Sequence, residues 1–149
     1  MKEWKAEVIT VGTELLLGQI VNTNVAWLSE KLADNGISVY YHQVVGDNLN
    51  RVKDVFEIAH HRSNIIFVTG GLGPTDDDLT REAFQEISGI KIIEDEQTMK
   101  DIEAYFRKRN LEMTPNNRKQ AAIFEGSTVF KNPVGIAPGI LVDYDDRIC

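Results

Sequence analysis

The sequence predicts an α/β fold of three layers, in which helices cover both faces of a mostly parallel sheet. Two observations favour this class: runs rich in β-branched residues are typical of buried strands, and stretches of helical periodicity alternate with them along the chain. The length of 149 residues suits about one domain, which buries roughly 70% of its unfolded surface on folding. We therefore expect residues 1–149 to form one domain.

Apolar patterning places the individual elements. The expected strands are residues 7–11, 37–45, 64–69 and 139–144, and the expected helices are residues 24–35, 50–62, 78–88 and 94–109. In the first helix Val25, Leu28 and Leu32 recur at spacings of three and four, and Gly36 follows at the stop position. Asp145-Asp146 predicts a hairpin turn into a return strand that begins at Arg147 and continues beyond residue 149, so we expect the domain to be truncated at this end.

Composition excludes several classes of partner. The 16 Lys and Arg against 23 Asp and Glu give a net charge of −7, which provides no electrostatic basis for binding a nucleic-acid backbone. Apolar runs fall short of the roughly 18 residues that a membrane span needs, and the charged start lacks a signal sequence. We therefore expect a cytoplasmic protein without nucleic-acid or membrane partners. The single cysteine, Cys149, cannot form an internal disulfide.

The loops that follow the first three strands carry the candidate site residues. An open α/β sheet binds ligands at the carboxyl ends of its strands. Gly12-Thr13-Glu14 follows the first strand, Gly46-Asp47-Asn48 the second, and the glycine turn Gly70-Gly71-Leu72-Gly73 with three aspartates the third. If these strands are parallel neighbours, then Glu14, Asp47 and Asp78 lie at one edge of the sheet.

Each of these features also has a structural explanation. Gly46-Asp47-Asn48 suits a turn in which an Asp or Asn side chain bonds its own backbone, and Glu14 alone suits an exposed surface acid. The spacing from Thr75 to Asp78 matches a capping box for the helix 78–88. Capping does not explain Gly70, Gly71 and Gly73, because glycine costs entropy unless the turn needs positive φ or close backbone approach. The loop also lacks the glycine pattern of dinucleotide fingerprints and the Gly-Lys-Ser/Thr of a P-loop.

A divalent metal ion would reconcile a phosphate-binding turn with three acids. A carboxylate and a phosphate oxygen about 4 Å apart repel by about 4 kcal/mol at an effective dielectric of about 20, whereas Mg²⁺ bridges carboxylates to substrate phosphates. We therefore expect Gly70, Gly71, Gly73 and Thr75 to bind phosphate, and Asp78 with Asp77 to bind the metal.

A second glycine-rich segment precedes the last expected strand. Residues 132–139, with the sequence NPVGIAPG, form a rigid turn that we expect to offer free N–H groups to an anion at Gly135 and Gly139. An ordinary connecting loop explains the same composition equally well.

Several of these motifs together resemble a known family. The motif Gly12-Thr13-Glu14-Leu15-Leu16-Leu17-Gly18-Gln19-Ile20, the glycine–aspartate segment 70–80, Gln120-Ala121 and Ala137-Pro138-Gly139 are similar to the N-terminal domain of the competence/damage-inducible CinA proteins. These belong to the molybdopterin-binding superfamily with MogA, MoaB and MoeA. The resemblance covers essentially the whole chain and implies a three-layer, molybdopterin-binding-domain-like fold with a pocket for a pyrophosphate-containing ligand.

The resemblance also implies a choice of functions. CinA-like domains are described as metal-dependent ADP-ribose pyrophosphatases, whereas MogA-type relatives adenylylate molybdopterin with Mg-ATP, and a module that binds a nucleotide without turnover is a third alternative. The functional aspartates of the relatives fall on Asp78 and Asp47, and Gly12, Thr13 and Glu14 fall within the substrate-binding motif. Relatives form dimers or trimers, so a homo-oligomer is expected. One departure is Ile136, which stands where the family commonly has threonine.

The remaining charged clusters are expected to be structural. His60-His61 stands near the end of a predicted helix, where a cation or a donor stabilises the last carbonyl groups, and no third ligand occurs at metal spacing. Arg107-Lys108-Arg109 is expected to be a solvated helix end.

Overall fold

The main sheet confirms the predicted fold class. The computed structural model describes residues 3–149. Five strands form this sheet in the order β2-β1-β3-β9-β8, and β1 pairs in parallel with both β2 and β3. β9 pairs in parallel with β3, and only the β8–β9 pair is antiparallel. The sheet is therefore mostly parallel.

The helices and strands have the following bounds. The strands are β1 Lys5–Val11, β2 Ser38–Val45, β3 Ile65–Thr69, β4 Ile92–Glu94, β5 Ala122–Phe124, β6 Thr128–Phe130, β7 Gly139–Leu141, β8 Asp143–Tyr144 and β9 Arg147–Ile148. The helices are α1 Thr13–Leu16, α2 Thr23–Asp34, α3 Leu49–Arg62, α4 Thr80–Ser88 and α5 Glu96–Lys108, with a 3₁₀-helix over Pro115–Ala121. Two further pairs, β4–β5 and β6–β7, form small antiparallel sheets.

The side chains of β1 alternate between the two faces of the sheet, which explains the three layers. Successive side chains of a strand point to opposite faces. Ile9 and Val11 join the core formed with α3 and α4, whereas Ala6 joins the core formed with Leu32 of α2. Because both faces are covered, almost the whole of β1 is buried.

One face of β1 also carries a buried acid. Glu7 is fully buried and accepts hydrogen bonds from Arg62 (2.6 and 3.0 Å), Gln43 (2.7 Å) and Ser63 (3.0 Å). Burial alone would raise the pKa of Glu7, but these bonds and the Arg62 charge outweigh it and lower the pKa below its ordinary value. This carboxylate therefore joins β1 to β2 and to the end of α3.

Three of the expected elements need correction. The helix expected over residues 78–88 begins at Thr80, so Asp78 lies outside it, and the helix expected over 94–109 covers Glu96–Lys108. The strand expected over 139–144 is divided at Val142 into β7 and β8, which belong to different sheets. The sequence also did not predict β4, β5, β6 or the 3₁₀-helix, each of which is too short to show a period.

Within residues 3–149, no helix combines the length and the apolar character that crossing a membrane requires.

Candidate functional site

The three predicted loops meet at one edge of the sheet. Val11 at the end of β1 stands opposite Val45 of β2, and Thr10 stands opposite Thr69 of β3. The segments that begin at Gly12, Gly46 and Gly70 therefore leave the sheet side by side, as expected from parallel neighbouring strands.

Thr13 and Asp47 join the first two loops. The N–H of Thr13 donates to Oδ2 of Asp47 (3.0 Å), and the N–H of Asp47 donates to Oγ1 of Thr13 (3.0 Å). Asp47 therefore bonds across the two loops, whereas Asn48 does bond its own segment, since its Oδ1 accepts from the N–H of Arg51 at the start of α3 (3.1 Å). Glu14 is exposed in the first turn of α1, and its carboxylate lies so close to Gly12 that a Cβ there would stand 2.6 Å from Oε1.

The glycine turn needs glycine for the reasons the sequence suggested. Gly70 and Gly71 have positive φ values of 91° and 67°. A side chain on Gly70 would overlap the carbonyl oxygen of Val11, and one on Gly71 would overlap Oγ1 of Thr80. Both left-handed backbone and close approach therefore exclude larger residues.

Three consecutive carbonyl groups of this turn point toward α4. Oγ1 of Thr80 donates to the Gly70 carbonyl (2.8 Å), the N–H of Thr80 donates to the Gly71 carbonyl (3.2 Å), and Nη1 of Arg81 donates to the Leu72 carbonyl (3.1 Å). Thr80 and Arg81 are both buried. Because these three carbonyl oxygens accept hydrogen bonds from the first two residues of α4, the turn is held in one orientation.

Asp78 organises the loop and not the helix. Its Oδ2 accepts from the N–H (2.9 Å) and the Oγ1 hydroxyl (2.7 Å) of Thr75, while α4 starts two residues later with Leu79 at the N-cap and no side-chain cap bond. The predicted capping role for α4 is therefore wrong. Gly73 permits this arrangement, because a Cβ there would stand 2.6 Å from Oδ2 of Asp78.

The surroundings of Asp78 favour its ionised form. Partial burial would raise its pKa, but the hydrogen bonds from Thr75 and Gly73 and the charge of Lys119 together lower it below the ordinary value. Asp76 and Asp77, by contrast, are exposed. The three consecutive aspartates thus occupy two different environments.

Lys119 is a site residue that the sequence reasoning missed. Its Nζ donates to the carbonyl groups of Thr75 (3.0 Å) and Asp78, and it also pairs with Oε1 of Glu82 (3.0 Å). The 3₁₀-helix brings it there from 41 residues beyond Asp78. The available signal was the neighbouring Gln120-Ala121 of the family resemblance, which predicted neither this helix nor its contacts.

The carboxylates at this edge do not by themselves form a complete metal site. In the part of the chain from residue 3 to residue 149, no three His, Cys, Asp or Glu side chains come together as a metal-binding group. Oδ2 of Asp47 accepts from Thr13, Asp78 accepts from Thr75 and Gly73, and Asp77 is exposed. Mg²⁺ commonly uses one or two carboxylates together with substrate phosphates and water, so these residues fit that mode and not an all-protein cage.

The second glycine-rich segment differs from its expectation. The N–H of Gly135 donates to Oδ1 of Asn132 (2.9 Å), so the expected free donor at Gly135 is wrong. Gly139 belongs to β7 and stands opposite Phe130. Ile136 packs with Met99 and Ile102 of α5, which gives a reason for an apolar residue there that does not involve a ligand.

Gly135 and Gly139 also line different cavities. Gly135 lies in a groove of about 330 Å³ beside Lys108 and Arg109, whose guanidinium stacks 3.8 Å above the ring of Tyr105. Gly139 instead lines an apolar cavity of about 410 Å³ beneath the glycine turn, which it shares with Leu72. The structure therefore brings Gly139, but not Gly135, to the neighbourhood of the turn.

The two histidines make different contacts, and only that of His61 is the expected one with a carbonyl group near the helix end. His61 forms a hydrogen bond through Nδ1 with the carbonyl of Glu57 (2.6 Å), four residues earlier in α3. His60 contacts Oδ2 of Asp145 through Nε2 (2.8 Å).

Sequence comparison relates this chain to longer proteins. The model of the family described as "Probable molybdopterin binding domain" matches residues 7–147. A competence-damage inducible protein of Oceanobacillus iheyensis is 62% identical over 144 residues, which are 97% of this chain and 34% of that protein. Its counterpart in Bacillus subtilis is 49% identical over 143 residues, or 96% of this chain and 34% of that protein. The chain spans about a third of the length of these relatives.

Comparison with solved structures points to the same family as the sequence comparison. The CinA structure from Thermoplasma acidophilum has a TM-score of 0.85 and 36% identity, and the match covers 97% of this chain and 84% of that one. The molybdopterin biosynthesis enzyme MoaB of Thermus thermophilus has a TM-score of 0.56 over 85% of this chain and 73% of that one, and at 19% identity it shows a shared fold alone. The chain therefore belongs to the molybdopterin-binding domain family and, within it, to the competence-damage inducible CinA proteins.

Proposed function

We propose that this domain hydrolyses the pyrophosphate bond of ADP-ribose or a related nucleoside diphosphate compound with the help of a divalent metal ion. The observation that carries the proposal is the orientation of the glycine turn. Its carbonyl groups at Gly70, Gly71 and Leu72 are bound by Thr80 and Arg81, so they do not face a ligand at the sheet edge. A turn held in this way offers backbone N–H groups to an anion.

The first two loops supply the other half of the site. The reciprocal bonds between Thr13 and Asp47 hold one carboxylate next to the end of β1, where the glycine turn also packs. Asp78 is ionised and oriented by Thr75 in the third loop. These contacts support the proposal, because a pyrophosphate with a bound cation requires phosphate donors and metal-binding oxygens at the same edge.

In the proposed reaction, the oxygen of a water molecule forms a bond to one phosphorus, and the bond from that phosphorus to the bridging oxygen breaks. ADP-ribose then yields AMP and ribose 5-phosphate. A divalent metal ion bound with the phosphates would polarise a phosphoryl oxygen and lower the pKa of the attacking water. Asp47 and Asp78 would hold that ion together with the exposed Asp77, and the N–H groups of the glycine turn would bind the phosphate charge.

The direct test incubates the protein with ADP-ribose in the presence of Mg²⁺, Mn²⁺ or EDTA and measures AMP and ribose 5-phosphate by chromatography. We expect AMP to form only with metal. A parallel reaction with ATP and molybdopterin distinguishes the alternative, because adenylylated pterin there without AMP from ADP-ribose would assign the site to molybdenum-cofactor synthesis. Saturable nucleotide binding without any product would make the domain a binding module.

The proposal also covers the oligomeric state of the protein and its location in the cell. We propose a dimer or trimer that acts in the cytoplasm on a small-molecule nucleotide. Sedimentation equilibrium at micromolar concentration tests the assembly, and a monomer there would contradict it.

A further inference from the structure

One ion pair joins the loop around Asp78 to α4 and to the 3₁₀-helix. Nζ of Lys119, in the 3₁₀-helix, lies 3.0 Å from Oε1 of Glu82, in the first turn of α4. The same ammonium group donates to the carbonyl of Thr75 (3.0 Å) and to the carbonyl of Asp78. Glu82 is thus linked to the loop through Lys119.

The carboxylate of Glu82 is only half satisfied. Its Oε2 atom is buried, and residues 3–149 offer it no hydrogen-bond partner. An acid in the first turn of a helix stabilises that helix from an exposed position, so helix stability does not require a buried oxygen. A buried acceptor without a donor costs free energy, and folded proteins contain few of them. The contact with Lys119 is therefore the feature that explains where this carboxylate lies.

The ammonium group of Lys119 places a positive charge against the loop where the metal ion is proposed. This charge is one of the causes that lower the pKa of Asp78. An unbalanced cation there would also repel a divalent ion, whereas an adjacent carboxylate offsets that repulsion. The side chains of Lys119 and Glu82 are 24% and 37% exposed, so salt reduces this effect without removing it.

We propose that Glu82 is a positioning residue of the candidate site, which holds Lys119 against the loop carbonyl groups and balances its charge, so that the loop accepts a divalent cation together with a nucleoside diphosphate. The inference rests on the proposed function for the identity of these two ligands. It assigns Glu82 no contact with the metal or the substrate. A pair that only supported the loop would differ, because losing either partner would then weaken the binding of both ligands.

Opposite shifts in two affinities test this balance of charge. Electron paramagnetic resonance of free Mn²⁺ measures the binding of the metal alone, and calorimetry with EDTA present measures the binding of ADP alone. Glu82→Gln keeps an acceptor for Lys119 but leaves its charge unbalanced, so we expect Mn²⁺ to bind about fivefold more weakly and ADP about fivefold more tightly. Lys119→Met should shift both affinities in the reverse direction. The double variant removes one charge of each sign and should stay within about twofold of the parent for both ligands.

A neighbouring ion pair provides the matched control. Glu86 lies one turn further along α4 and pairs with Lys53 of α3 (2.6 Å), and these side chains are 47% and 27% exposed, close to the values of the proposed pair. Glu86→Gln and Lys53→Met remove the same charges from a pair that does not contact the loop carbonyl groups. Both should leave the affinities for Mn²⁺ and ADP unchanged, and thermal melting checks that every variant is folded.

Two results would overturn the proposal. Shifts in the same direction for both ligands would make the pair a structural support, and an ADP affinity in the double variant as low as in Lys119→Met would make Lys119 a direct phosphate contact. Neither measurement needs turnover, which separates this inference from the proposed function. Opposite shifts without AMP from ADP-ribose would support the role of Glu82 and contradict the hydrolase, whereas AMP release with unshifted affinities would do the reverse. A parent chain that binds no Mn²⁺ would contradict both.

Discussion

Replacing Asp78 with asparagine separates its structural role from a role in binding metal. The change keeps the shape and one acceptor oxygen but removes the charge that the Thr75 N–H and hydroxyl bind at 2.9 and 2.7 Å. A hydrogen bond to a charged group contributes about 1.5–3 kcal/mol and a neutral one about 0.5–1.5 kcal/mol. Since Asp78 is partly exposed, we expect Asp78→Asn to cost about 1 kcal/mol, or about 2–4 °C in melting temperature.

Asp95 provides a matched control for this cost. Its Oδ2 accepts from the N–H (2.7 Å) and the hydroxyl (2.6 Å) of Thr98, so it reproduces the bonds of Asp78 at the start of α5. Asp95→Asn should therefore lower the melting temperature by a similar amount and leave activity unchanged. Asp76 is exposed and serves as the control for charge alone.

The assay is metal-dependent release of AMP from ADP-ribose, measured beside thermal melting for each variant. If Asp78 binds the metal, activity should fall at least a hundredfold in Asp78→Asn and stay within twofold in Asp95→Asn and Asp76→Asn. Asp47→Asn should follow Asp78→Asn. Equal and small losses in all four variants would refute the reasoning and leave Asp78 as a residue that shapes the loop.

Three further predictions concern other residues. Glu7→Gln should cost about 1–3 kcal/mol in urea unfolding, because the buried carboxylate loses its charge-assisted hydrogen bonds while the partly exposed Arg62 stays solvated. Since the pKa of Glu7 is lower in the folded state, its contribution to stability is complete above its unfolded pKa and is lost as pH falls through the folded pKa. An acid limb as steep in the variant as in the parent would contradict this. Ile136→Thr should lower stability by about 1–2 kcal/mol and strengthen nucleotide binding by no more than about 1.5 kcal/mol, and a hundredfold gain in calorimetric affinity would show a lost primary contact. Replacing His60 and His61 together with glutamine should leave the metal requirement of the activity assay intact, and its disappearance would assign them to the metal.

The parts of the fold that followed from the sequence are those governed by local pattern. Strands β1, β2 and β3 and helices α2 and α3 fall within two residues of their expected bounds, because each is long enough to show its period and ends at a turn residue. The meeting of three loops at one edge followed directly, since the carboxyl ends of parallel neighbours must coincide.

The parts that did not follow depend on partners distant in sequence. The start of α4 shifts to Thr80 because that residue binds Gly70 and Gly71, ten and nine positions earlier, and so the Thr75–Asp78 pair closes a separate loop. The strands β4 to β7 have three residues each, and their pairing partners give no periodic signal. The N–H of Gly135 is taken by Asn132, and composition alone could not show whether that donor was free.

Lys119 is the long-range contact with the most direct consequence for the site. Its ammonium group binds the Thr75 and Asp78 carbonyl groups and pairs with Glu82 at 3.0 Å, so a protein cation already lies against the loop where the metal is proposed. Nearby like charges repel, and between a partly exposed lysine and a divalent ion at this loop we expect about 1 kcal/mol of repulsion after screening. Removing the lysine should favour the metal and disfavour the anionic substrate.

Lys119→Met should therefore lower the metal concentration for half-maximal activity about fivefold and raise the KM for ADP-ribose. Lys131→Met is the control, because Lys131 is an exposed lysine that pairs with Asp101 (3.0 Å) away from the glycine turn. The measurement is a metal titration of AMP release at fixed ADP-ribose, followed by a substrate titration at saturating metal. An unchanged metal requirement together with a raised KM would mean that Lys119 binds the substrate directly, and unchanged values of both would mean that it only supports the loop, which its carbonyl contacts alone would explain.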